Sequence, residues 1–382
     1  MRTNVNNDKL TIAMFGHKRI PSREGGIEVV VEELSTRMVE KGLNVVCYNR
    51  SGHHVAGAEF DGKIRTSFKG VQLKSVFTID KGGLAAMTSS ISAATRVAFG
   101  KCDVVHIHAE GPAVMAWLPK MMGKRVIVTV HGLDWQREKW GKGFASKYIH
   151  FGEKMAVKFA DEIIVLSSRV QQYFMETYGR ETKFVPNGVN EPKFRVADEI
   201  TKKWGLKKDG YILYLARIVP EKGERYLIEA FRNVKTDKKL VIAGGISDLT
   251  GFGKELHDLA FGDDRIIFTG FVQGRVKHEL YSNSYVYTLP SDLEGMPLSL
   301  LEGMSYGNCC LCSDIPECTE VVEDKAVTFK KSDVEDLKKK LQMLCDDEQL
   351  VASYKAVAKD FILKKYDWDD VVNRTIELYG RQ

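Results

Sequence analysis

Short apolar runs alternate with amphipathic stretches along the chain, and this alternation predicts an α/β protein. In the first half the apolar runs cover residues 10–15, 43–49, 103–108, 126–130, 161–167 and 182–186, which we expect to be buried strands. Val30, Leu34 and Met38 recur at helical spacing, and Gly42 ends the helix predicted over 27–41. A strand–helix–strand opening is typical of a doubly wound parallel sheet.

The same pattern restarts near residue 211, so the chain is predicted to contain two domains. Strands are expected over 211–216, 239–245, 265–271, 285–289 and 308–313, and helices over 224–233 and 330–346. The turn at Asn187-Gly188 closes the first half. The length of 382 residues leaves room for two full cores. We therefore predict one Rossmann-like domain over 1–189 and a second over 190–365.

Two further helical stretches are expected in the first half. Residues 82–100 form a stretch of small residues that predicts a helix. Residues 113–125 mix methionine, tryptophan and basic residues, which suits either a membrane-facing element or a crossover helix buried on the sheet. We favour the buried crossover helix, which is the commoner meaning of such a stretch.

The net charge of +5 is unevenly distributed. Residues 1–187 carry 27 basic and 18 acidic side chains, whereas the remainder carries 29 and 33. A basic first half can face an anionic membrane or a pyrophosphate-bearing acceptor, or it can be an ordinary solvated surface. The basic residues form no compact sequence cluster, which disfavours nucleic acid as a partner.

The composition favours a cytoplasmic protein. No run approaches 18 apolar residues, and the first ten residues lack the apolar core of a signal peptide. The 7 cysteines match neither a zinc ribbon nor a CxxC motif. Three of them, Cys309, Cys310 and Cys312, share one predicted strand, and we expect reduced, mostly buried thiols.

The stretch 288–307 carries the clearest chemistry, with two glutamates eight positions apart. Pro297 suits the first turn of a helix, which places Glu294 in the preceding loop and Glu302 about a turn and a half into the helix. The N–H groups of Leu298 and its neighbours are then expected to be free to bind an anion, most naturally a phosphate. Two unrelated surface acids are the alternative reading of this pair.

Other candidates follow predicted strands, where ligands of open α/β folds collect. Arg217 and Lys222 follow one strand and suit a diphosphate, because arginine bridges two oxygens and lysine acts as a point charge. Gly25 and Gly26 allow close approach of a ligand at a helix start, although they do not form the G-x-G-x-x-G fingerprint of nicotinamide-binding proteins. His131 directly follows a third strand.

Taken together, these motifs resemble the family-4 glycosyltransferases, which are retaining enzymes of GT-B fold. The resemblance rests on Glu294-Gly295, Pro297 and Glu302-Gly303, on Arg217 with Lys222, and on the glycine loop, His131 and Asn187-Gly188. It implies two Rossmann-like domains with an interdomain cleft and a closing helix over 366–382 that returns to the first domain. Residues 132–141 also resemble a subset of bacterial capsule and exopolysaccharide transferases. Gly303 departs from the family pattern, where alanine is more frequent.

The resemblance implies a role for each candidate residue. Arg217 and Lys222 neutralise the leaving diphosphate, Glu294 orients the hydroxyls of the donor sugar, and Glu302 binds the ribose. His131 contacts the donor sugar, and the glycine loop lies near the donor phosphates. Further donor-binding positions are Val272, Gly295, Met296, Pro297 and Leu298, and candidates for the acceptor side are His17, Arg19 and His108.

The activity implied is transfer of a hexose or deoxyhexose from a nucleoside-diphosphate sugar to a glycan acceptor. UDP is the default nucleotide, with dTDP and GDP open, and the acceptor is expected to be lipid-linked at the inner face of the membrane. A soluble-acceptor sugar synthase of the same fold and a non-catalytic nucleotide-sugar-binding protein are the alternatives. No cofactor or metal is expected, because the D-x-D at Asp367 and Asp369 opens a predicted helix, where acids serve as cap and dipole partners.

Overall fold

The computed structural model describes residues 10–22, 25–52, 65–136, 143–245 and 251–380. The N-terminal residues 1–9 and part of the segment 132–141 named above lie outside this range. The described chain forms two compact units. One comprises the residues up to Asn187 together with Trp368 and the residues after it, and the other runs from Gly188 to Asp367.

The first unit is built on an eight-stranded sheet in the order β3-β4-β2-β1-β5-β6-β7-β8. All neighbouring strands are parallel except β3 and β4, which are antiparallel. The strands are β1 Thr11–Phe15, β2 Asn44–Arg50, β3 Ser67–Phe68, β4 Val71–Val76, β5 Val104–His108, β6 Arg125–Val130, β7 Glu162–Val165 and β8 Lys183–Phe184. The helices are α1 Gly26–Glu40, α2 Gly82–Ala98, α3 Glu110–Ala113, α4 Trp117–Met121, α5 Phe144–Phe159, α6 Ser168–Tyr178 and, from the end of the chain, α15 Trp368–Glu377.

The second unit contains a six-stranded parallel sheet in the order β11-β10-β9-β12-β13-β14. Its strands are β9 Tyr211–Leu215, β10 Lys239–Ala243, β11 Ile266–Gly270, β12 Val286–Leu289, β13 Cys309–Ser313 and β14 Val327–Phe329. Its helices are α7 Glu199–Trp204, α8 Glu224–Arg232, α9 Phe252–Ala260, α10 Gly274–Asn283, α11 Leu298–Ser305, α12 Pro316–Val322, α13 Val334–Asp346 and α14 Glu348–Lys365.

Most predicted elements agree with the structure to within a few residues, because their apolar runs form the buried strands. Two helices differ. The single crossover helix expected over 113–125 is divided into α3 and α4, since Pro119 lacks the N–H that a continuous helix needs and instead occupies the first turn of α4. Helix α13 begins at Val334 rather than near residue 330, because the Asp333 side chain caps it by accepting the Asp336 N–H at 3.0 Å.

The C-terminal helix α15 packs within the first unit. The Arg125 guanidinium donates to the Leu378 carbonyl at 2.8 Å, and the Tyr379 hydroxyl lies 2.7 Å from His106 Nδ1. Arg374 also donates to the carbonyl of Phe184. No helix in the described part of the chain is long and apolar enough to cross a membrane.

Candidate active site

Lys222 and Glu294 form a buried ion pair beside the carboxyl ends of two adjacent strands of the second unit. Lys222 ends a short 3-10 turn after β9, and Glu294 lies in the loop after β12. Lys222 Nζ donates to Glu294 Oε1 at 2.5 Å, and both residues are more than nine-tenths buried. The pair therefore places a cation and a carboxylate at the sheet edge where ligands of this fold class bind.

Glycine at position 223 allows the two loops to approach closely. Gly223 has a φ of +76°, and a Cβ built on it would lie 2.0 Å from the carbonyl oxygen of Pro290. The Asp292 N–H donates to the Glu221 carbonyl at 2.9 Å, and the Tyr226 hydroxyl donates to Asp292 at 2.9 Å. Any side chain larger than hydrogen at position 223 would separate the loops that carry the ion pair.

Arg217 lies at the start of the same loop, and its side chain is exposed. A buried pair of side chains, which the sequence did not reveal, holds the backbone here. The Tyr214 hydroxyl lies 2.9 Å from the Arg217 carbonyl and 2.6 Å from Glu224, which also accepts the Val219 N–H at 3.2 Å. Burial raises the pKa of the Glu224 carboxyl to about 7.

The start of α11 differs from the expectation in two respects. Pro297 is the N-cap and not the first helical residue, and the Leu298 N–H, expected to be free, donates to the Met296 carbonyl at 3.0 Å. The loop folds back here because Gly295, Met296 and Pro297 are all buried. An anion that used the Leu298 N–H would therefore have to replace this bond.

Position 303 requires glycine for a packing reason. A Cβ on Gly303 would lie 2.7 Å from the ring of Tyr287, which is fully buried in β12. The large tyrosine and the absent side chain are therefore complementary across the helix–sheet interface.

Glu302 lies in the fifth position of α11, as the sequence predicted, and two residues of α10 hold it. Lys277 Nζ donates to Glu302 Oε1 at 2.5 Å, and the Tyr281 hydroxyl donates to Oε2 at 3.4 Å. Burial raises the pKa of the Tyr281 phenol, so Tyr281 is a donor. Val272 lies in the loop between β11 and α10 and is half-buried.

The glycine loop of the first unit is held by a side chain that folds back onto it. Glu28 accepts the Lys18 N–H at 2.9 Å, and a Cβ on Gly25 would lie 2.1 Å from the other oxygen of the Glu28 carboxylate. Gly25 is the N-cap of α1 and Gly26 its exposed first residue. Arg19 donates to the Gly52 carbonyl at 2.9 Å.

His17 is buried and neutral. Its Nε2 lies 3.0 Å from Asn49 Oδ1, an acceptor fixed by the two hydrogen bonds between Asn49 and the backbone of Ile20, so Nε2 carries the proton. Burial lowers the pKa of His17 to about 4. Its Nδ1 has no hydrogen-bond partner among the described residues. His17 thus presents a bare acceptor nitrogen in the first unit.

Three histidines lie side by side at the ends of β5 and β6. His108 Nδ1 is 3.1 Å from His131 Nε2, and the rings of His106 and His108 stack at 4.2 Å. His106 bridges the Tyr379 and Thr129 hydroxyls, each at 2.7 Å. Burial lowers the pKa of His106 to about 3 and lowers that of His108 well below its ordinary value. The structure therefore brings together His108 and His131, which the sequence proposed for separate roles.

Sequence reasoning missed a buried carboxyl pair near these histidines. Glu110 accepts the Asp134 N–H at 2.9 Å, and Glu153 accepts the Trp135 indole N–H at 3.2 Å. Burial, together with the neighbouring Asp134 and Glu153, raises the pKa of Glu110 well above its ordinary value. No sequence signal marks this pair, since the two glutamates are 43 positions apart on different helices.

The D-x-D sequence begins α15, whose first residue is Trp368. Asp369 Oδ1 lies 3.8 Å from Arg37 and 4.0 Å from Lys41. Within the described ranges, no group of three or more histidine, cysteine, aspartate or glutamate residues could hold a metal ion.

The fold matches that of known GT-B glycosyltransferases. HepE of Anabaena, solved with UDP-glucose, superposes with a TM-score of 0.78 over 96% of this chain and 98% of its own, at 16% identity. The two α/β units, each built on a largely parallel sheet, therefore have the GT-B fold.

Sequence comparison identifies the family. The family model of Glycosyltransferase Family 4 matches residues 24–192, and that of Glycosyl transferases group 1 matches residues 196–361. The chain belongs to the family-4 glycosyltransferases and is a glycosyltransferase. This finding removes support from the non-catalytic alternative.

Two bacterial relatives illustrate the range of activities in the family. N,N'-diacetylbacillosaminyl-diphospho-undecaprenol alpha-1,3-N-acetylgalactosaminyltransferase of Campylobacter jejuni is 27% identical over 63% of this chain and 66% of its own. Alpha-maltose-1-phosphate synthase of Mycolicibacterium smegmatis is 23% identical over 73% of this chain and 79% of its own.

Proposed function

We propose that this protein is a retaining glycosyltransferase that moves a hexose or deoxyhexose from a nucleoside-diphosphate sugar to a lipid-linked glycan. The buried Lys222–Glu294 pair is the observation that carries the proposal. It holds a cation for the leaving diphosphate next to a carboxylate for the sugar hydroxyls. Both groups are fixed before a ligand binds, which reduces the reorganisation needed at the reacting bond.

The cations of this loop suit a diphosphate leaving group. Lys222 uses one of its three N–H donors on Glu294, which leaves two for phosphate oxygens. Arg217 has an exposed guanidinium that can bind two phosphate oxygens at once. Stabilising the negative charge that develops as the sugar–phosphate bond breaks is the electrostatic contribution expected of this pair.

The nucleoside has its own proposed partner in Glu302. Lys277 and Tyr281 together use two of the roughly four lone-pair sites of this carboxylate, so that acceptors remain for two ribose hydroxyls. Val272 and its loop are proposed to line the base. UDP is the proposed nucleotide, in keeping with the UDP-glucose bound to HepE, and dTDP and GDP remain to be tested.

The proposed reaction proceeds on one face of the sugar. The bond between the anomeric carbon and the diphosphate oxygen breaks, and the acceptor oxygen forms its bond to the same carbon from the same side. The acceptor proton passes to the leaving phosphate oxygen, so that no covalent enzyme intermediate is needed. We also assign His131 a contact with the donor sugar, as the sequence resemblance implies.

The lipid-linked acceptor is supported by the Campylobacter relative, whose name specifies a diphospho-undecaprenol acceptor. With such an acceptor, we propose a peripheral position on the inner face of the cell membrane and a role in cell-surface polysaccharide synthesis. The Mycolicibacterium synthase favours a second candidate, a transferase with a soluble sugar-phosphate acceptor.

Product analysis tests this proposal. The protein is incubated with UDP-sugars and either an undecaprenyl-diphosphate-linked sugar or a soluble sugar phosphate, and the new glycosidic bond is examined by NMR. We expect a product on the lipid-linked acceptor with the anomeric configuration of the donor. A product of inverted configuration would contradict the retaining mechanism, and a product only on the soluble acceptor would support the second candidate.

A further inference from the structure

Helix α2 exposes apolar side chains on the face that points to solvent. Leu84 and Ile91 are seven positions apart, which places them on the same side of the helix, and they are 44% and 45% exposed. Ala93 and Val97 lie away from this side of the helix and are buried in the core of the unit. The exposed face of α2 is therefore partly apolar, which is the reverse of an ordinary surface helix.

The segment after β4 extends this apolar face. The Ile79 N–H donates to the Thr88 hydroxyl at 3.0 Å, and Arg96 donates to the Ser75 carbonyl at 2.8 Å, so the segment runs antiparallel beside α2. Phe77 and Ile79 on this segment are 65% and 39% exposed. Together with Leu84 and Ile91 they form one strip, which we call the α2 face.

The stretch of chain that contains the α2 face is strongly basic. Residues 65–101 contain six basic side chains and one acidic side chain, Asp80. All six basic residues are exposed, and none of them forms an ion pair with a carboxylate in the described part of the chain. They are Arg65, Lys69, Lys74, Lys81, Arg96 and Lys101.

We propose that the α2 face docks on an anionic lipid bilayer, which deepens the membrane position in the proposed function. Large apolar side chains flanked by lysines and arginines lie naturally in a membrane interface, where the apolar groups enter the acyl boundary and the cations meet anionic headgroups. Arg96 lies on α2 itself, and the other five cations lie on the segments before and after it. Each basic residue near an anionic surface strengthens binding about fivefold. A cytoplasmic leaflet rich in anionic lipid is therefore the complementary partner.

Self-association through this face is the less favourable alternative. In a two-fold symmetric dimer the same patch meets itself, so the unpaired cations of each copy would face those of the other. A free polyanion would satisfy the cations but would leave the strip of Phe77, Ile79, Leu84 and Ile91 in water. Only a surface with both anionic and apolar layers matches both features of the α2 face.

Vesicle co-sedimentation of the full chain tests the proposal without any nucleotide sugar. We expect binding to vesicles of phosphatidylglycerol and phosphatidylcholine, weaker binding to pure phosphatidylcholine, and loss of binding as the salt concentration rises. Phe77→Ser is expected to weaken binding about tenfold, because a large apolar side chain no longer enters the membrane. Lys74→Ala/Lys81→Ala is expected to weaken binding on the order of 25-fold.

Matched variants in the second unit serve as controls. Phe261→Ser removes a phenylalanine that is 83% exposed, and Lys207→Ala/Lys208→Ala removes two exposed lysines. We expect both to bind vesicles like the wild type, and unchanged circular dichroism would show that all variants fold. Equal binding by the α2-face variants and the wild type would overturn the proposal.

Two further results would also overturn it. Equal binding to neutral and anionic vesicles would remove the electrostatic part of the proposal. A dimer in analytical ultracentrifugation that Phe77→Ser converts to monomer would assign the α2 face to self-association. Because donor hydrolysis is assayed separately and without vesicles, its failure would count against the proposed reaction and not against membrane docking.

Discussion

Lys222 and Glu294, 72 positions apart in the sequence, meet in a buried ion pair at 2.5 Å. Each compensates the charge of the other in a region with little water. Removing one partner leaves a buried charge without compensation, which is far more costly than removing both. The pair therefore couples the stability of the second unit to the groups proposed to act on the donor.

We predict that Lys222→Met and Glu294→Leu each lower the free energy of unfolding of the second unit by about 3 kcal/mol. The double variant Lys222→Met/Glu294→Leu is expected to regain most of this stability, because it leaves no isolated charge. Its donor turnover is nevertheless expected to be lost. Urea unfolding and release of nucleoside diphosphate measure the two properties separately.

Arg225→Ala is the control, because Arg225 pairs with Glu255 at a position that is far more exposed to solvent than the Lys222–Glu294 pair. An exposed pair contributes at most about 1 kcal/mol. If the loss of unfolding free energy in the double variant equalled the sum of the losses in the two single variants, the ion pair would have no coupling energy. This interpretation of the site would then be wrong.

Lys277 is predicted to act on the donor through Glu302, whose carboxylate it holds at 2.5 Å. Glu302→Gln and Lys277→Met are each expected to raise the donor KM about tenfold, because a charged hydrogen bond to the ribose is lost or misdirected. Steady-state kinetics with varied donor measures this effect. An exposed lysine of the same unit, replaced in Lys254→Ala, provides the comparison. A fall in kcat with an unchanged KM would contradict a role in nucleoside binding.

The sequence predicts the strands well because buried parallel strands are continuous apolar runs, and it predicts the position of Glu302 because Pro297 marks the helix start. It does not predict that Lys277 contacts Glu302. That contact depends on the packing of α10 against α11, which no local pattern encodes. The sequence also does not predict that the Leu298 N–H donates to the Met296 carbonyl. This bond forms because the buried loop before α11 folds back on itself.

A comparison of two glycines with similar backbone angles tests how closely the loops that carry Lys222 and Glu294 approach each other. Gly223 and Gly179 have φ angles of +76° and +61°. A Cβ added to Gly223 would clash with the carbonyl oxygen of Pro290, whereas a Cβ added to Gly179 would meet no neighbouring atom within 4 Å. Gly179→Ala is expected to cost about 1 kcal/mol, from backbone strain alone. Gly223→Ala is expected to cost clearly more and to lower donor turnover. Equal melting temperatures of the two variants would show that the Pro290 contact is unimportant.

We predict that the protein loses stability in mild acid because His17 is buried in its neutral form. Burial lowers the pKa of His17 from 6.5 to about 4. As the pH falls, His17 therefore takes up a proton in the unfolded chain before it does so in the folded chain. The free energy of unfolding is unaffected by this histidine above pH 6.5 and decreases as the pH falls from 6.5 towards 4. The loss due to His17 over this range amounts to about 3 kcal/mol.

His17→Gln isolates this contribution, since a glutamine amide can still donate to Asn49 but does not titrate. Urea unfolding across the acid range should show a flatter pH dependence for His17→Gln than for the wild type. Parallel profiles for His17→Gln and the wild type would rule out this role for His17.

The donor assignment is tested most directly by a panel of UDP-, dTDP- and GDP-sugars with the wild type and Glu294→Ala. Thermal shift reports binding, and slow hydrolysis of the donor reports bond cleavage. We predict that one nucleotide raises the melting temperature of the wild type, and that release of that diphosphate is lost in Glu294→Ala. Undiminished release in the variant, or no response of the wild type to any donor in either assay, would contradict the assignment of this site.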